Sequence, residues 1–348
     1  MAAFKNILVF SPNWVGDTIM ALPMVAGLRT ALPTARLVVV ANPRVAPLWK
    51  NNPNIDQLWN LETTGGRGWL NQLRLFPTIK RGNFDVALIL PHDFASAAVT
   101  WFARVPVRVG AAVGGRGWLL THSQSNHLDQ RHQPLIENYL NFLRQIGWEP
   151  GRPAPALPID PAAQIAADEN LAAHGIQPGD RIIGLAPGAT YGPAKRWPPE
   201  RFAELADRLA QEYQAKVLVL ISPQEQSLGR EIRSLTRQAP VFWDQSFPLL
   251  EVAALMKRCH LFIANDSGLM HMAAAVGTPV IAIFGSTSPT WTAPAGAGHI
   301  ILHKPLACSP CFQRRCALKT YECLTSITVP EVLTAVATQL RKPPAAPP

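Results

Sequence analysis

NILVFSPNWVGDT, residues 6–18, joins a short run, apolar from Ile7 to Phe10, to a turn built from serine, proline, asparagine, glycine and aspartate. So short a run, bounded by turn residues, reads as a buried strand, and the apolar stretch that follows to Leu28 reads as a helix. A strand feeding a helix through a tight turn is the repeating unit of a parallel sheet covered on both faces. The unit recurs at Arg36–Ala41, Asp85–Leu90 and Val107–Ala111, with longer amphipathic stretches between. Beyond EPGRPAPALPIDP (149–161) it starts again, with strands at Arg181–Ala186, Lys216–Ile221, Leu261–Ala264 and Pro279–Phe284 and helices at Arg201–Tyr213 and Leu249–Lys257. Prolines donate no backbone hydrogen bond and stiffen the chain into extended form. The expected domains are therefore 1–160 and 161–348, the second ending in a helix from Val329 to Arg341 and a disordered Pro/Ala tail from Pro343. The expected fold class is α/β, two facing Rossmann-like doubly wound domains with an inter-domain cleft, because open parallel sheets bind ligands beyond the carboxyl ends of their strands.

The bulk composition agrees with two folded domains. A chain of 348 residues exceeds what one hydrophobic core usually organises, and 48% hydrophobic against 16% charged residues excludes a disordered polymer. Lys and Arg number 32 against 23 Asp and Glu, a formal charge of +9 that suits an anionic partner: a nucleotide, a phosphorylated lipid or a membrane surface. No apolar run approaches the ~20 residues of a membrane-spanning helix, and no cleavage site follows the first apolar stretch. Four of the five cysteines crowd into Cys308-x2-Cys311-x4-Cys316-x6-Cys323. That is not the spread framework of a secreted disulfide protein, so a reducing, cytoplasmic compartment is expected. Four thiolates could hold zinc, but the paired knuckles of well-attested sites are missing. Reduced thiols and no metal are expected.

Candidate chemistry gathers at the strand ends. After the first strand, Gly16 supplies backbone freedom and Asp17 a carboxylate, which can serve as a helix cap, as a catalytic group or as both. Trp14 either walls a sugar site or packs. After Ile182–Ala186 the loop PGATYGPAKRWP (187–198) carries Lys195 and Arg196 beside Thr190, a phosphate cradle in one reading and a solvated loop in the other. After Leu261–Ala264, Asn265-Asp266-Ser267-Gly268 precede His271, and a helix opening here, capped by Asp266 or Ser267, would offer its amides to a diphosphate. Gly285 lies in a further small-residue loop. No Asp-x-Asp pair of the kind that holds a metal for many glycosyltransferases occurs anywhere in the chain.

The motifs NWVGD (13–17), PGATYGPAKRWP (187–198), NDSGLMHMAAAVGTPVIAIFG (265–285) and STSPTWTAPAG (286–296) resemble those of the ADP-heptose:lipopolysaccharide heptosyltransferases, glycosyltransferase family 9. The WVGD form and CSPCFQRRC (308–316) are most similar to the type II members. The resemblance extends from Asn6 to about Leu340. It implies a GT-B fold and inverting transfer of L-glycero-D-manno-heptose from ADP-heptose to the first heptose of a heptosyl-Kdo2-lipid A acceptor. Asp17 is then the catalytic base and Lys195 a catalytic cation. The substrate-binding positions are Asn13, Trp14, Gly16, Thr190, Glu225, Asp266, Ser267, Gly268, His271 and Gly285. Ala189 stands where some relatives have a hydroxyl, so a phosphate contact there would come from its amide. Glu225 is the choice for the acid that binds ribose. The implied setting is a monomer at the cytoplasmic surface of the inner membrane, peripheral to it, without cofactor or nucleic acid.

Other classes make different demands. A nicotinamide dehydrogenase needs Gly-x-Gly-x-x-Gly after a strand, and SPNWVGD lacks it. A non-catalytic nucleotide-sugar-binding module, or a heptosyltransferase adding the first or third heptose, remains compatible with the residues.

Overall fold

The computed structural model describes residues 4–61, 69–124, 131–245 and 247–341. The Pro/Ala tail lies outside them. The chain divides into two compact units, Met1–Leu157 and Pro158–Pro348, against an expected boundary at 160/161.

In the first unit β1 (Asn6–Phe10) leads into α1 (Val15–Ala31), followed by β2 (Arg36–Ala41), β3 (Gln57–Asn60), α2 (Trp69–Arg74) and α3 (Phe76–Arg81). Then come β4 (Val86–Ile89), α4 (Phe94–Phe102), β5 (Val107–Ala111), β6 (His122–Gln124) and α5 (Leu135–Arg144). The six strands form one sheet in the order β3-β2-β1-β4-β5-β6, parallel throughout. Side chains alternate across a strand. Leu8, Phe10, Val38, Val40, Ala87 and Ile89 therefore share one face, where they pack with Ile79 of α3 and Ala97, Ala98 and Val99 of α4. Their neighbours Ile7, Val9, Leu37, Val39, Val86 and Leu88 are buried too, which is why the central strands read as unbroken apolar runs.

The second unit repeats the plan. It opens with α6 (Pro161–Ala173), β7 (Ile182–Ala186), α7 (Pro199–Tyr213), β8 (Lys216–Leu220), α8 (Gln226–Leu235) and β9 (Val241–Trp243). It closes with α9 (Leu249–Arg258), β10 (Leu261–Asn265), α10 (Gly268–Ala275), β11 (Val280–Phe284), α11 (Pro289–Thr292), β12 (Ile300–His303), α12 (Glu322–Thr325) and α13 (Val329–Leu340). Its parallel sheet runs β12-β11-β10-β7-β8-β9. The final helix belongs to the fold: Val332 and Val336 join a core with Ile281, Ile283 and Trp197. Thr328 caps it reciprocally with Glu331.

Each sheet starts in its middle, builds outward to one edge, then returns to build the other. The point of reversal lies between β1 and β4 in one unit and between β7 and β10 in the other. Two such doubly wound sheets are the GT-B architecture that the motifs imply. At a reversal the loops leave the sheet in opposite directions and open a crevice at the strand carboxyl ends. The NWVGD turn follows β1, while the loops carrying Lys195 and Asp266 follow β7 and β10.

Candidate active site

In the first unit the chain leaves β1 through Ser11, which is buried and accepts a hydrogen bond from Trp49 Nε1 at 2.8 Å. Thr18 Oγ1 donates to the Pro12 carbonyl at 3.2 Å and closes the turn from the far side. Asn13 Oδ1 accepts from Asn42 Nδ2 at 2.8 Å, tying the turn to the loop after β2. The guanidinium of Arg44, on that loop, lies 5.2 Å from the ring centroid of Trp14, whose indole is exposed. Gly16 and Asp17 fall in the first turn of α1, and the N-cap is Trp14. The capping reading of Asp17 is thereby corrected: it sits three residues inside, where its charge faces the positive end of the helix. Its electrostatic neighbour is Tyr139 of α5, whose hydroxyl is driven well above its ordinary pKa by burial and by the Asp17 charge.

The second unit gathers more polar groups. Lys195 Nζ donates to Asp266 Oδ2 at 2.6 Å, and the same oxygen accepts from Thr287 Oγ1 at 2.5 Å and Thr292 Oγ1 at 3.2 Å. Asp266 is nearly inaccessible, so these partners supply its carboxylate with the hydrogen bonds that water does not. Lys195 is thus already paired rather than a bare cation. Its ammonium also lies 4.9 Å from the Tyr191 centroid, with the Arg314 guanidinium 5.3 Å from the same ring. His271 is buried one turn into α10, and its pKa falls to about 4, chiefly through desolvation, with Lys195 adding to the effect and Asp266 opposing it. It is a neutral imidazole at neutral pH, able to hydrogen-bond but carrying no charge.

Helix α10 starts at Gly268. Ser267 occupies its N-cap without bonding through its side chain, and Asp266 does not cap it. The hydroxyls of Ser267 and Ser286 are buried without a hydrogen-bond partner. Native proteins seldom leave such groups orphaned, and here both follow strands that meet at the reversal or beside it. Asn265 braces the loops, its Oδ1 accepting from the Trp197 amide at 3.1 Å and its Nδ2 donating to the Pro187 carbonyl at 2.7 Å.

Glu225, after β8, is also fully engaged. Oε1 accepts from the Ala189 amide at 2.8 Å and from Arg196 at 3.1 Å, and Oε2 accepts from Ser222 Oγ at 2.6 Å. The Ala189 amide, expected to face phosphate, is therefore spent on Glu225. Thr190 remains exposed in the same loop, while Gly285 has no room for a Cβ, which would lie 2.9 Å from the Ala194 carbonyl and 2.6 Å from Leu324.

The structure brings Lys195, Asp266, Ser267, Gly268, His271 and Gly285 together through the adjacency of β7, β10 and β11. Thr287, Thr292 and Tyr191 were not singled out from sequence, and Arg314 stood there only as one basic residue of the cysteine-bearing loop, a candidate for acceptor phosphate. The hydroxyls of STSPTWT were a usable signal for the first two, whereas nothing local marks Arg314 as a neighbour of Tyr191. It arrives on the cysteine-bearing segment, which is pinned to the site by Phe312 N donating to the Ser286 carbonyl at 2.7 Å, Tyr191 Oη to Phe312 O at 2.5 Å and Ser309 Oγ to Gly285 O at 2.7 Å. The cysteines there are free. Burial and the neighbouring thiols push Cys323 up to about 11, while backbone amides of Tyr321, Leu318 and Thr320 lower Cys316. Among the described residues no group of three or more His, Cys, Asp or Glu is gathered to hold a metal ion.

The sequence profile of glycosyltransferase family 9 (heptosyltransferase) matches residues 72–322. Over 302 residues the chain is 32% identical to the lipopolysaccharide heptosyltransferase 2 of Salmonella typhimurium, covering 83% of this chain and 85% of that one. A solved family 9 glycosyltransferase from Veillonella parvula superposes with a TM-score of 0.85 at 25% identity over 97% of both chains. The ADP-heptose lipopolysaccharide heptosyltransferase II of Escherichia coli gives 0.81 at 26% identity, over 97% of this chain and 98% of that one. With the profile spanning more than half of its length, the chain belongs to glycosyltransferase family 9, the heptosyltransferases.

Proposed function

We propose that this glycosyltransferase transfers L-glycero-D-manno-heptose from ADP-heptose, with inversion, to the first heptose of heptosyl-Kdo2-lipid A in the lipopolysaccharide inner core. The observation that carries the donor half is the Lys195–Asp266 pair lying beside the amino end of α10 and two partnerless buried hydroxyls. A diphosphate there gains the helix end, the Ser267 and Ser286 hydroxyls and the Lys195 charge together. Asp266 can release the ammonium towards the diphosphate, because Thr287 and Thr292 continue to donate to its carboxylate. As the glycosidic bond to ADP breaks, Lys195 and the helix end meet the growing negative charge on the leaving diphosphate.

Asp17 takes the proton of the acceptor hydroxyl as that oxygen attacks the anomeric carbon opposite the ADP. Thr190, Glu225, Gly268, His271 and Gly285 belong to the donor surface, and Asn13, Trp14 and Gly16 to the acceptor surface. The first unit is thus the acceptor-binding domain and the second the donor-binding domain. Neutral His271 acts as a hydrogen-bonding group. The protein works as a cytoplasmic monomer, peripheral to the inner membrane that carries its acceptor. Among the described residues no helix is long and apolar enough to cross a membrane.

The decisive experiment offers ADP-heptose with defined acceptors carrying no heptose, one heptose or two. Transfer confined to the one-heptose acceptor is expected. Transfer to either of the others instead moves the enzyme to a different step.

A further inference from the structure

Helix α4 covers one face of the first sheet, but its outer side is not polar. Phe94, Trp101, Phe102 and Trp118 are 49%, 40%, 56% and 65% exposed. They form one ridge rather than scattered rings. Trp118 lies 6.4 Å from Phe94 and 5.8 Å from Trp101, and Trp101 lies 5.1 Å from Phe102. The ridge follows α4 for about 12 Å, at ~1.5 Å per helical residue. Folded monomers seldom leave contiguous aromatic surface in water without a use for it.

The ridge is also built to stay out. Trp118 sits on a turn anchored from beneath by Arg116, which is completely buried and donates to the carbonyls of Ala111 at 2.9 Å, Pro91 at 2.6 Å and Asp93 at 2.7 Å. Cations lie on the flanking elements. Arg104 is exposed just after α4, and Arg74, Lys80 and Arg81 are exposed at the ends of α2 and α3, helices that pack beside α4. The two acids of this stretch point elsewhere: Asp85 accepts from the amides of Lys5 and Asn6, and Asp93 caps α4 through the Ser96 amide. Indole and phenyl rings flanked by arginine and lysine are the composition of a bilayer interface, where rings enter the headgroup layer and cations meet anionic phosphates.

We propose that this ridge docks the chain on an anionic lipid bilayer. The inference rests on the reading above, in which the acceptor is lipid-linked. A second copy of the chain fits the ridge less well. At ~200 Å² per ring the exposed parts amount to roughly 400 Å², about half of what each partner of a standard interface buries. The like charges on the flanking helix ends would also repel a twin.

The test is sedimentation of the full chain with phosphatidylglycerol-containing vesicles and with phosphatidylcholine vesicles, for wild type and for the double variant Trp101→Ser, Trp118→Ser. Wild type is expected to pellet with the anionic vesicles, less so at high salt. The variant should bind them at least tenfold more weakly, since each ring removed costs roughly tenfold in partition. An unchanged melting curve certifies its fold, and the single variant Trp118→Ser repeats the measurement with a smaller loss. Heptose transfer to a water-soluble, delipidated one-heptose acceptor is read in parallel and is expected to stay within about twofold of wild type. Pelleting of the variant equal to wild type overturns the proposal. So does a wild-type dimer, by light scattering, that the substitutions dissociate. Wild type that docks yet transfers no heptose to the soluble acceptor counts against the proposed reaction and leaves the docking surface standing.

Discussion

Asp17 occupies the third position of α1, with Trp14 as the N-cap, so its carboxylate meets the positive end of the helix dipole, an interaction worth about 0.3–1 kcal/mol. Asp17→Asn should therefore change the melting temperature little. As loss of a general base it should lower kcat by roughly 10² to 10⁴ while ADP-heptose still binds. A rate above about a tenth of wild type in a steady-state transfer assay would remove Asp17 from that role. Lys195 tests the other unit. Lys195→Met leaves the buried Asp266 carboxylate with hydroxyl donors alone, and breaking such a pair costs about 3 kcal/mol of stability. The double variant Lys195→Met, Asp266→Asn should recover most of the melting temperature but not the turnover. Recovery of both by the double variant would make the pair purely structural. The motif residues were legible one by one from sequence. Their pairings were not, because Lys195 and Asp266 stand 71 positions apart and meet only once β7 and β10 are neighbours.

At the scale of elements, the strands that sequence missed are β3, β6, β9 and β12, and every one is a sheet edge. An edge strand is covered on fewer sides, so its residues need not all be apolar: β12 is half-buried or exposed throughout, and β3 begins exposed. Periodicity finds the strands that are buried on both faces and passes over the others. The turns between elements carry their own constraint. At Gly188, which follows β7, an added Cβ would lie 2.1 Å from Glu225 Oε2. Gly188→Ala must therefore push the Glu225 carboxylate off the Ala189 amide and Arg196. The expected cost is about 1–3 kcal/mol by overpacking, seen as a melting temperature lower by several degrees, together with a raised KM for ADP-heptose. An unaltered KM would show that the Glu225 brace does not shape the donor loop.

At the scale of the whole molecule, the net charge of +9 is uneven: residues 1–160 hold 15 basic against 9 acidic side chains, an excess of 6. A phosphorylated acceptor handled by that unit should feel it. Raising ionic strength from about 0.05 to 0.5 M shortens the screening length from roughly 14 to 4 Å, so the KM for a phosphorylated acceptor should climb several-fold, and less for a dephosphorylated one. Equal salt dependence of the two in initial-rate assays would place the recognition of acceptor phosphate elsewhere. The amino-acid sequence by itself determined the duplicated α/β plan, the family and the glycine- and proline-rich loops that follow the strands. Strands buried on both faces must be apolar end to end, and glycine, proline and short polar residues are what a strand-to-helix turn requires. Only the tertiary structure decided that Lys195 rests on Asp266, that Glu225 takes the Ala189 amide, that Arg314 reaches Tyr191 and that four rings on α4 and its neighbouring turn share one exposed ridge. Those contacts depend on strand order and on which helix faces meet. Neither is written in local periodicity.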